Sequence, residues 1–206
     1  MGEFNAYADA FAAARVFALT SPNPNSTLPP SQTSLLPPYP AKLSRQLTLQ
    51  LFPLDITLRH NLSRGEFRTA VAPLVEAGSP LAEWVSAFMA HTFQTMERLH
   101  PGHVGDNAEL SLHDPLCVWY ALTSEDPQWS PTATSPEDIR IETTGQWTRG
   151  MCVVDRRSRH QIEGDEETSS DHGLWLTQRA GNRIYRMDAS PVEKTFGKVL
   201  IDKLFG

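Results

Sequence analysis

The chain has 206 residues, enough to enclose one hydrophobic core, and its 40% hydrophobic and 20% charged residues are typical of a globular protein. A formal net charge of −6 argues against a dedicated nucleic-acid-binding protein, because contacts to phosphate need clustered lysine and arginine. No apolar run approaches the roughly 18 residues that span a bilayer, and the first residues lack the pattern of a secretory signal, so we expect a cytoplasmic protein without nucleic-acid or membrane partners.

The N-terminal quarter of the chain combines one helical stretch with a proline-rich segment. Alanine-rich residues 8–19 predict a helix. Seven of the sixteen prolines then lie between Pro22 and Pro40, among serine, asparagine and threonine. This composition predicts a mobile surface loop, inserted at about residues 21–45. Alternating apolar and polar residues at 47–52 predict a strand that leads into a loop at Pro53.

Two helices are predicted next, over residues 63–76 and 80–99. In the second helix, apolar side chains recur at three-to-four spacing and predict a face that packs in the core: Leu81, Trp84, Val85, Phe88 and Thr92.

A third helix is predicted to begin near Pro115, with Asp114 as its N-cap and the proline in its first turn. Its body, residues 116–122, is apolar nearly all round, which predicts burial. The two cysteines, Cys117 and Cys152, both lie in apolar stretches. Two cysteines are too few for a disulfide framework, so we expect buried free thiols.

The last third of the chain alternates strands and loops before a final helix. Strands are predicted at 139–144 and 151–154, joined by a hairpin-like connection, and again at 175–177 and 183–187 after a charged loop. Ser190-Pro191-Val192-Glu193 has the pattern of a capping box that opens a C-terminal helix. Because helices and strands are interspersed, the sequence predicts the α/β or mixed α+β class.

Six short segments occur in a recognisable order along the chain. They are Glu-Phe-Asn at 3–5, Pro-Leu-Asp-Ile-Thr at 53–57, Leu-His-Asp-Pro-Leu at 112–116, Ile-Glu-Thr-Thr-Gly at 141–145, Thr-Arg-Gly-Met at 148–151 and Val-Val-Asp at 153–155. This series resembles the C-terminal half of the inosine-uridine preferring nucleoside hydrolases. The resemblance covers nearly the whole chain except the proline-rich insertion and residues 156–182.

The resemblance implies an α/β fold with a mixed sheet flanked by helices, and hydrolysis of the N-glycosidic bond of a ribonucleoside to base and ribose. It implies a calcium ion, with Asp114 as a ligand that also contacts the ribose. Glu3 and Asn5 would bind the ribose hydroxyls, Phe93 would line the base pocket, and His113 would be the general acid for the leaving base. Such groups suit the reaction, because its transition state is oxocarbenium-like and the departing base needs a proton.

The family's aspartate-rich motif, Asp-x-Asp-x-Gly-x-Asp-Asp, does not occur in this sequence. In the family that motif supplies most calcium ligands and the base that activates water, whereas calcium takes six to eight oxygen ligands. We therefore expect residues 1–206 to form the C-terminal part of a single nucleoside hydrolase domain, inactive alone and incomplete at its N-terminus. Exposed apolar faces would then favour a homo-oligomer or another partner. The alternatives are a non-catalytic binding or interaction module of the same fold and, for His113, a structural histidine near a helix start.

Overall fold

The computed structural model describes residues 2–29, 36–157, 159–164 and 166–206. The chain folds as two compact units, which we name unit 1 (Met1–Leu51 and Thr132–Arg186) and unit 2 (Phe52–Pro131 and Met187–Gly206). Helices and strands are interspersed along both, which confirms the α/β class. The prediction that they form one domain stays a prediction. No helix of the described ranges is both long and apolar enough to cross a membrane.

Unit 1 begins with two helices where the sequence predicted one. They are α1 (Phe4–Ala8) and α2 (Ala10–Ala18), and the residue between them, Asp9, caps α2 by accepting the Ala12 N–H at 2.9 Å. An aspartate can satisfy the free N–H groups of a new first turn, which explains the interruption. Ala10 and Ala14 pack against Ile141 in a small core.

The proline-rich segment is partly buried, so the prediction of a mobile surface loop is wrong for its first residues. Pro24–Thr27 form a short 3-10 helix in which Pro24 and Thr27 are buried. The Thr27 hydroxyl donates to the Asn182 side-chain oxygen at 2.8 Å, and this bond satisfies a polar group that would otherwise be costly to bury. Residues 30–35 of the predicted insertion lie outside the described residues.

The strands of unit 1 confirm most of the sequence prediction. β1 (Leu49–Leu51) pairs in parallel with the first half of β7 (Ile184–Ala189), and β5 (Arg140–Ile141) pairs antiparallel with β6 (Cys152–Val153) as the predicted hairpin. Residues 175–177 are not a strand, because Thr177 forms only an isolated bridge.

Unit 2 is mainly helical, with two short antiparallel strand pairings in its described residues. Its elements are α3 (Leu54–Thr57), β2 (Asn61–Ser63), α4 (Arg64–Glu76), α5 (Pro80–Leu99), β3 (Glu109–Ser111), α6 (His113–Thr123), β4 (Ser130–Pro131) and α7 (Phe196–Phe205). β2 pairs with β3, and β4 pairs antiparallel with the second half of β7. Because β7 has a parallel and an antiparallel neighbour, the sheet is mixed, as expected.

The two predicted helices α4 and α5 are confirmed, but one apolar face of α5 is not packed. The helix buries Ala82, Val85, Met89 and Phe93 in the core of unit 2. The Trp84 side chain is 68% exposed, and its ring meets that of Phe88, also exposed, edge to face at 5.1 Å. The prediction that these two aromatic residues lie in the core is therefore wrong.

Helix α6 is also less buried than its composition suggested. Leu116 is its one fully buried residue, whereas Val118 and Leu122 are 62% and 75% exposed. Both cysteines are exposed free thiols, so their predicted burial is wrong. An apolar sequence on every side of a helix permits burial, but only the side that meets α3 and the rest of the core is covered.

The final helix begins later than predicted. Residues 191–195 form turns, and α7 starts at Phe196 with Thr195 at its N-cap. The predicted capping box at residues 190–193 is therefore wrong. The Ser190 hydroxyl makes a different contact, to the side chain of His60.

Candidate functional site

The His-Asp-Pro segment lies at the end of the β2–β3 strand pair. Asn61 pairs with Ser111, and beyond that pair the Leu112 N–H donates to the His60 carbonyl oxygen at 2.8 Å. Helix α6 begins at the next residue, His113. The strand pair thus determines where the helix starts and places His113 and Asp114 in its first turn, both exposed.

The imidazole of His113 is held by a buried threonine. His113 Nδ1 lies 2.8 Å from Thr57 Oγ1, and Thr57, the last residue of α3, is only 3% exposed. Two segments of the family resemblance, 53–57 and 112–116, therefore meet in unit 2. His113 was predicted as a site residue and Thr57 was not, because 56 residues separate the two and no pattern in either segment pairs them.

A second histidine, His60, is fully buried close to this contact, and the sequence analysis missed it as well. His60 Nδ1 donates to the Ile56 carbonyl oxygen at 2.8 Å, because a carbonyl can only accept. Its Nε2 lies 2.5 Å from Ser190 Oγ, and its ring meets the ring of Phe196 edge to face. Burial lowers the pKa of the His60 imidazole below its ordinary value, so the ring is neutral in the folded chain.

This burial predicts a pH-dependent stability. The unfolded chain binds a proton on His60 near pH 6.5 and the folded chain does not, so stability is complete above about pH 6.5 and falls as the pH drops below it. The slope contributed by one proton is at most about 1.4 kcal/mol per pH unit. We expect urea unfolding between pH 7.5 and 5.5 to show this loss in the wild type and in His91→Gln, which changes an exposed histidine. In His60→Gln the slope should be smaller, and an equal slope would contradict the assignment.

Asp114 occupies a different position from the predicted one. Leu112, not Asp114, is the N-cap of α6, and it makes no side-chain capping bond. The Asp114 carboxylate stands in the first turn, where the helix dipole favours negative charge.

The residues present do not fit a calcium ion. Nowhere in the described ranges do three or more histidine, cysteine, aspartate or glutamate side chains come together as metal ligands. Asp114 alone offers two of the six to eight oxygens that calcium takes. The metal role implied for Asp114 therefore stays a prediction, and this chain does not supply the rest of a calcium site within its described residues.

Glu3 and Asn5 lie in unit 1, at the start of α1. The two Glu3 carboxylate oxygens each accept one backbone N–H, from Asn5 and Ala6, at 2.9 Å. Glu3 thus caps the helix, and Asn5 is exposed on its first turn. The implied ribose-binding role of both residues stays a prediction.

A tight turn in another resemblance segment of unit 1, residues 148–151, packs against α1. Gly150 has a φ of +80°, and a Cβ at this position would lie 2.6 Å from the Tyr7 backbone nitrogen. The Arg149 guanidinium stands 5.3 Å from the centre of the Tyr7 ring. Segment 148–151 therefore packs against the backbone of α1, the helix that segment 3–5 opens.

Glu142 shapes the loop that leads into this turn. Its carboxylate accepts the N–H groups of Thr144 at 2.9 Å and Gly145 at 3.2 Å. These backbone hydrogen bonds, the one from Thr144 above all, hold the pKa of the Glu142 carboxyl below its usual range. Glu142 therefore orders the loop as a carboxylate.

Phe93 lies in the core of unit 2. It is 1% exposed, its ring centre is 6.2 Å from that of Phe67, and the Arg64 guanidinium stands 5.5 Å from it. It forms part of the wall of an apolar groove of about 520 Å³ beside α4 and α5. Its implied role in the base pocket stays a prediction.

The segments described above are those on which the family resemblance depends. The model of the family described as inosine-uridine preferring nucleoside hydrolase matches residues 1–179, which is most of the chain. A comparison with curated protein sequences returns no match. The family is one of metal-dependent hydrolases. On the strength of this match, the chain belongs to the inosine-uridine preferring nucleoside hydrolase family.

Proposed function

We propose that this chain takes part in hydrolysis of the N-glycosidic bond of ribonucleosides, giving the free base and ribose. The observation that carries the proposal is the pair His113 and Asp114, exposed together in the first turn of α6, with the His113 ring held by Thr57. An imidazole and a carboxylate on adjacent residues suit a reaction that needs a proton donor and stabilisation of positive charge.

Each residue has a defined role in this proposal. The C1′–N bond breaks, its electron pair stays with the base nitrogen, and His113 gives that nitrogen a proton. Water adds to C1′ and releases one proton to solvent, from which His113 is reprotonated. The Asp114 carboxylate stabilises the positive charge that develops on the ribose. We also propose a cytoplasmic location, a role in nucleoside catabolism, and association as a homo-oligomer.

The absence of an acidic cluster in the described ranges favours a second candidate, a non-catalytic module that binds a nucleoside or another protein. The two candidates differ in one respect. An N-ribohydrolase becomes active once the missing acidic ligands are supplied, and a binding module does not. We propose that hydrolysis requires such ligands.

We expect a polypeptide of these 206 residues to release no ribose from inosine or uridine, with or without calcium. Fusion of the aspartate-rich N-terminal segment of an active family member to its N-terminus should give calcium-dependent ribose release, measured by a reducing-sugar assay. In that fusion His113→Gln should lower kcat about 10²- to 10⁴-fold, the usual contribution of general acid catalysis. In the same fusion, Asp114→Asn should lower kcat by at least the same factor.

The matched control is Glu125→Gln, which changes an exposed carboxylate just after α6 and should leave the rate unchanged. Calcium-dependent ribose release by the 206 residues alone would contradict the need for further ligands. A folded fusion that binds nucleoside without hydrolysing it would favour the binding module.

A further inference from the structure

Two histidines of unit 2 are held by neighbouring residues of α3 in opposite ways. His60 Nδ1 faces the carbonyl oxygen of Ile56, whereas His113 Nδ1 faces the hydroxyl of Thr57, each at 2.8 Å. A carbonyl oxygen can only accept, so the proton of His60 is on Nδ1. A hydroxyl can donate or accept, so the surroundings of Thr57 determine the proton position on His113.

The hydroxyl of Thr57 carries one proton, and because the residue is buried that proton needs a hydrogen-bond acceptor. Thr57 is 3% exposed, and in the described part of the chain its side-chain oxygen has no hydrogen-bond partner besides His113 Nδ1. If His113 donated from Nδ1, the Thr57 proton would be buried without an acceptor, which costs about 1–3 kcal/mol. If Thr57 donates to Nδ1, that proton is satisfied.

We propose that Thr57 is a positioning residue that donates its proton to His113 Nδ1 and thereby holds the neutral imidazole with its proton on Nε2. In the described ranges no protein group is hydrogen-bonded to His113 Nε2, and the residue is exposed. This inference rests on the proposed function for its consequence: Nε2–H is the group that donates a hydrogen bond to the departing base. The alternative is that Thr57 only fastens α6 to α3, in which case either ring nitrogen could hold the proton.

The two readings differ in the tautomer of His113, which long-range ¹H–¹⁵N correlation spectra measure directly. Spectra recorded at about pH 8.5, above the ordinary pKa of histidine, report neutral rings. We expect His113 to show a proton on Nε2, and His60 to show the opposite pattern as an internal reference in the same spectrum. His113→Gln identifies the His113 signals. A proton on Nδ1 of His113 would overturn the inference, even if no Thr57 variant folds.

Variants of Thr57 then test whether its hydroxyl is the cause. Thr57→Val keeps the shape and removes the hydroxyl, so the His113 Nδ1 resonance should move to the position of a nitrogen without a donor. Thr57→Ser should restore it, and neither variant should change the His60 pattern. An unchanged His113 Nδ1 resonance in Thr57→Val would contradict the inference. An inactive fusion protein would overturn the proposed function and leave the tautomer result standing.

Discussion

Replacing Gly150 with alanine is expected to lower the free energy of unfolding by about 2–4 kcal/mol, measured by urea denaturation. Two costs combine at this position. The φ of +80° is strained for any residue with a side chain, and the new methyl group would lie 2.6 Å from the backbone nitrogen of Tyr7 and 2.7 Å from its Cα. Backbone atoms cannot rotate away as a side chain can, so α1 must shift.

Substitution of two other glycines measures the strain of a positive φ separately from the steric contact with Tyr7. Gly78 also has a positive φ, of +76°, but an added Cβ there meets nothing within 4 Å, so Gly78→Ala should cost about 1 kcal/mol. Gly102 has neither feature, and Gly102→Ala should change stability by no more than about 0.5 kcal/mol. Equal effects at Gly150 and Gly78 would show that the contact with Tyr7 is unimportant.

Phe93→Ala is expected to destabilise the chain by about 3–5 kcal/mol, because it removes a buried ring from the core of unit 2 and leaves a cavity. Trp84→Ala is the matched control on the same helix, since that ring is mostly exposed and should contribute less than about 1 kcal/mol. The urea concentration at the midpoint of unfolding, measured for both variants, tests this difference in stability. If Phe93→Ala unfolds like the wild type, the ring does not contribute to the core.

Local patterns explain what the sequence could predict. Helices α4 and α5 were predicted as helical stretches, α5 from the spacing of its apolar residues, and the structure adds a cap at each start: Ser63 and Glu66 form a capping box on α4, and Ser79 caps α5 ahead of a proline in its first turn. Both signals lie within a few residues of one another, so they are readable without the fold.

The contacts that hold His113 depend on residues far apart in the chain, and they could not be predicted. Thr57 and His60 meet their partners only because β2 and β3 pair and because residues 190–195 turn before α7. The wrong predictions of which residues are buried have the same origin. The apolar residues of α6 indicated a core helix. Which side of the helix is buried depends on neighbours outside that segment, and they cover only one side.

The contact between Ser190 and His60 bears on where the chain can be shortened. The family match ends at residue 179, yet the strand β7, the hydroxyl that faces His60 Nε2, and the core residue Phe196 all follow it. A polypeptide trimmed to the matched region would lose the only strand that pairs with β1 and β4 in the described sheet, and would leave a buried imidazole nitrogen without its partner. The limit of the family match is therefore not a limit of the fold, and any shortened version of the protein should retain the last 27 residues.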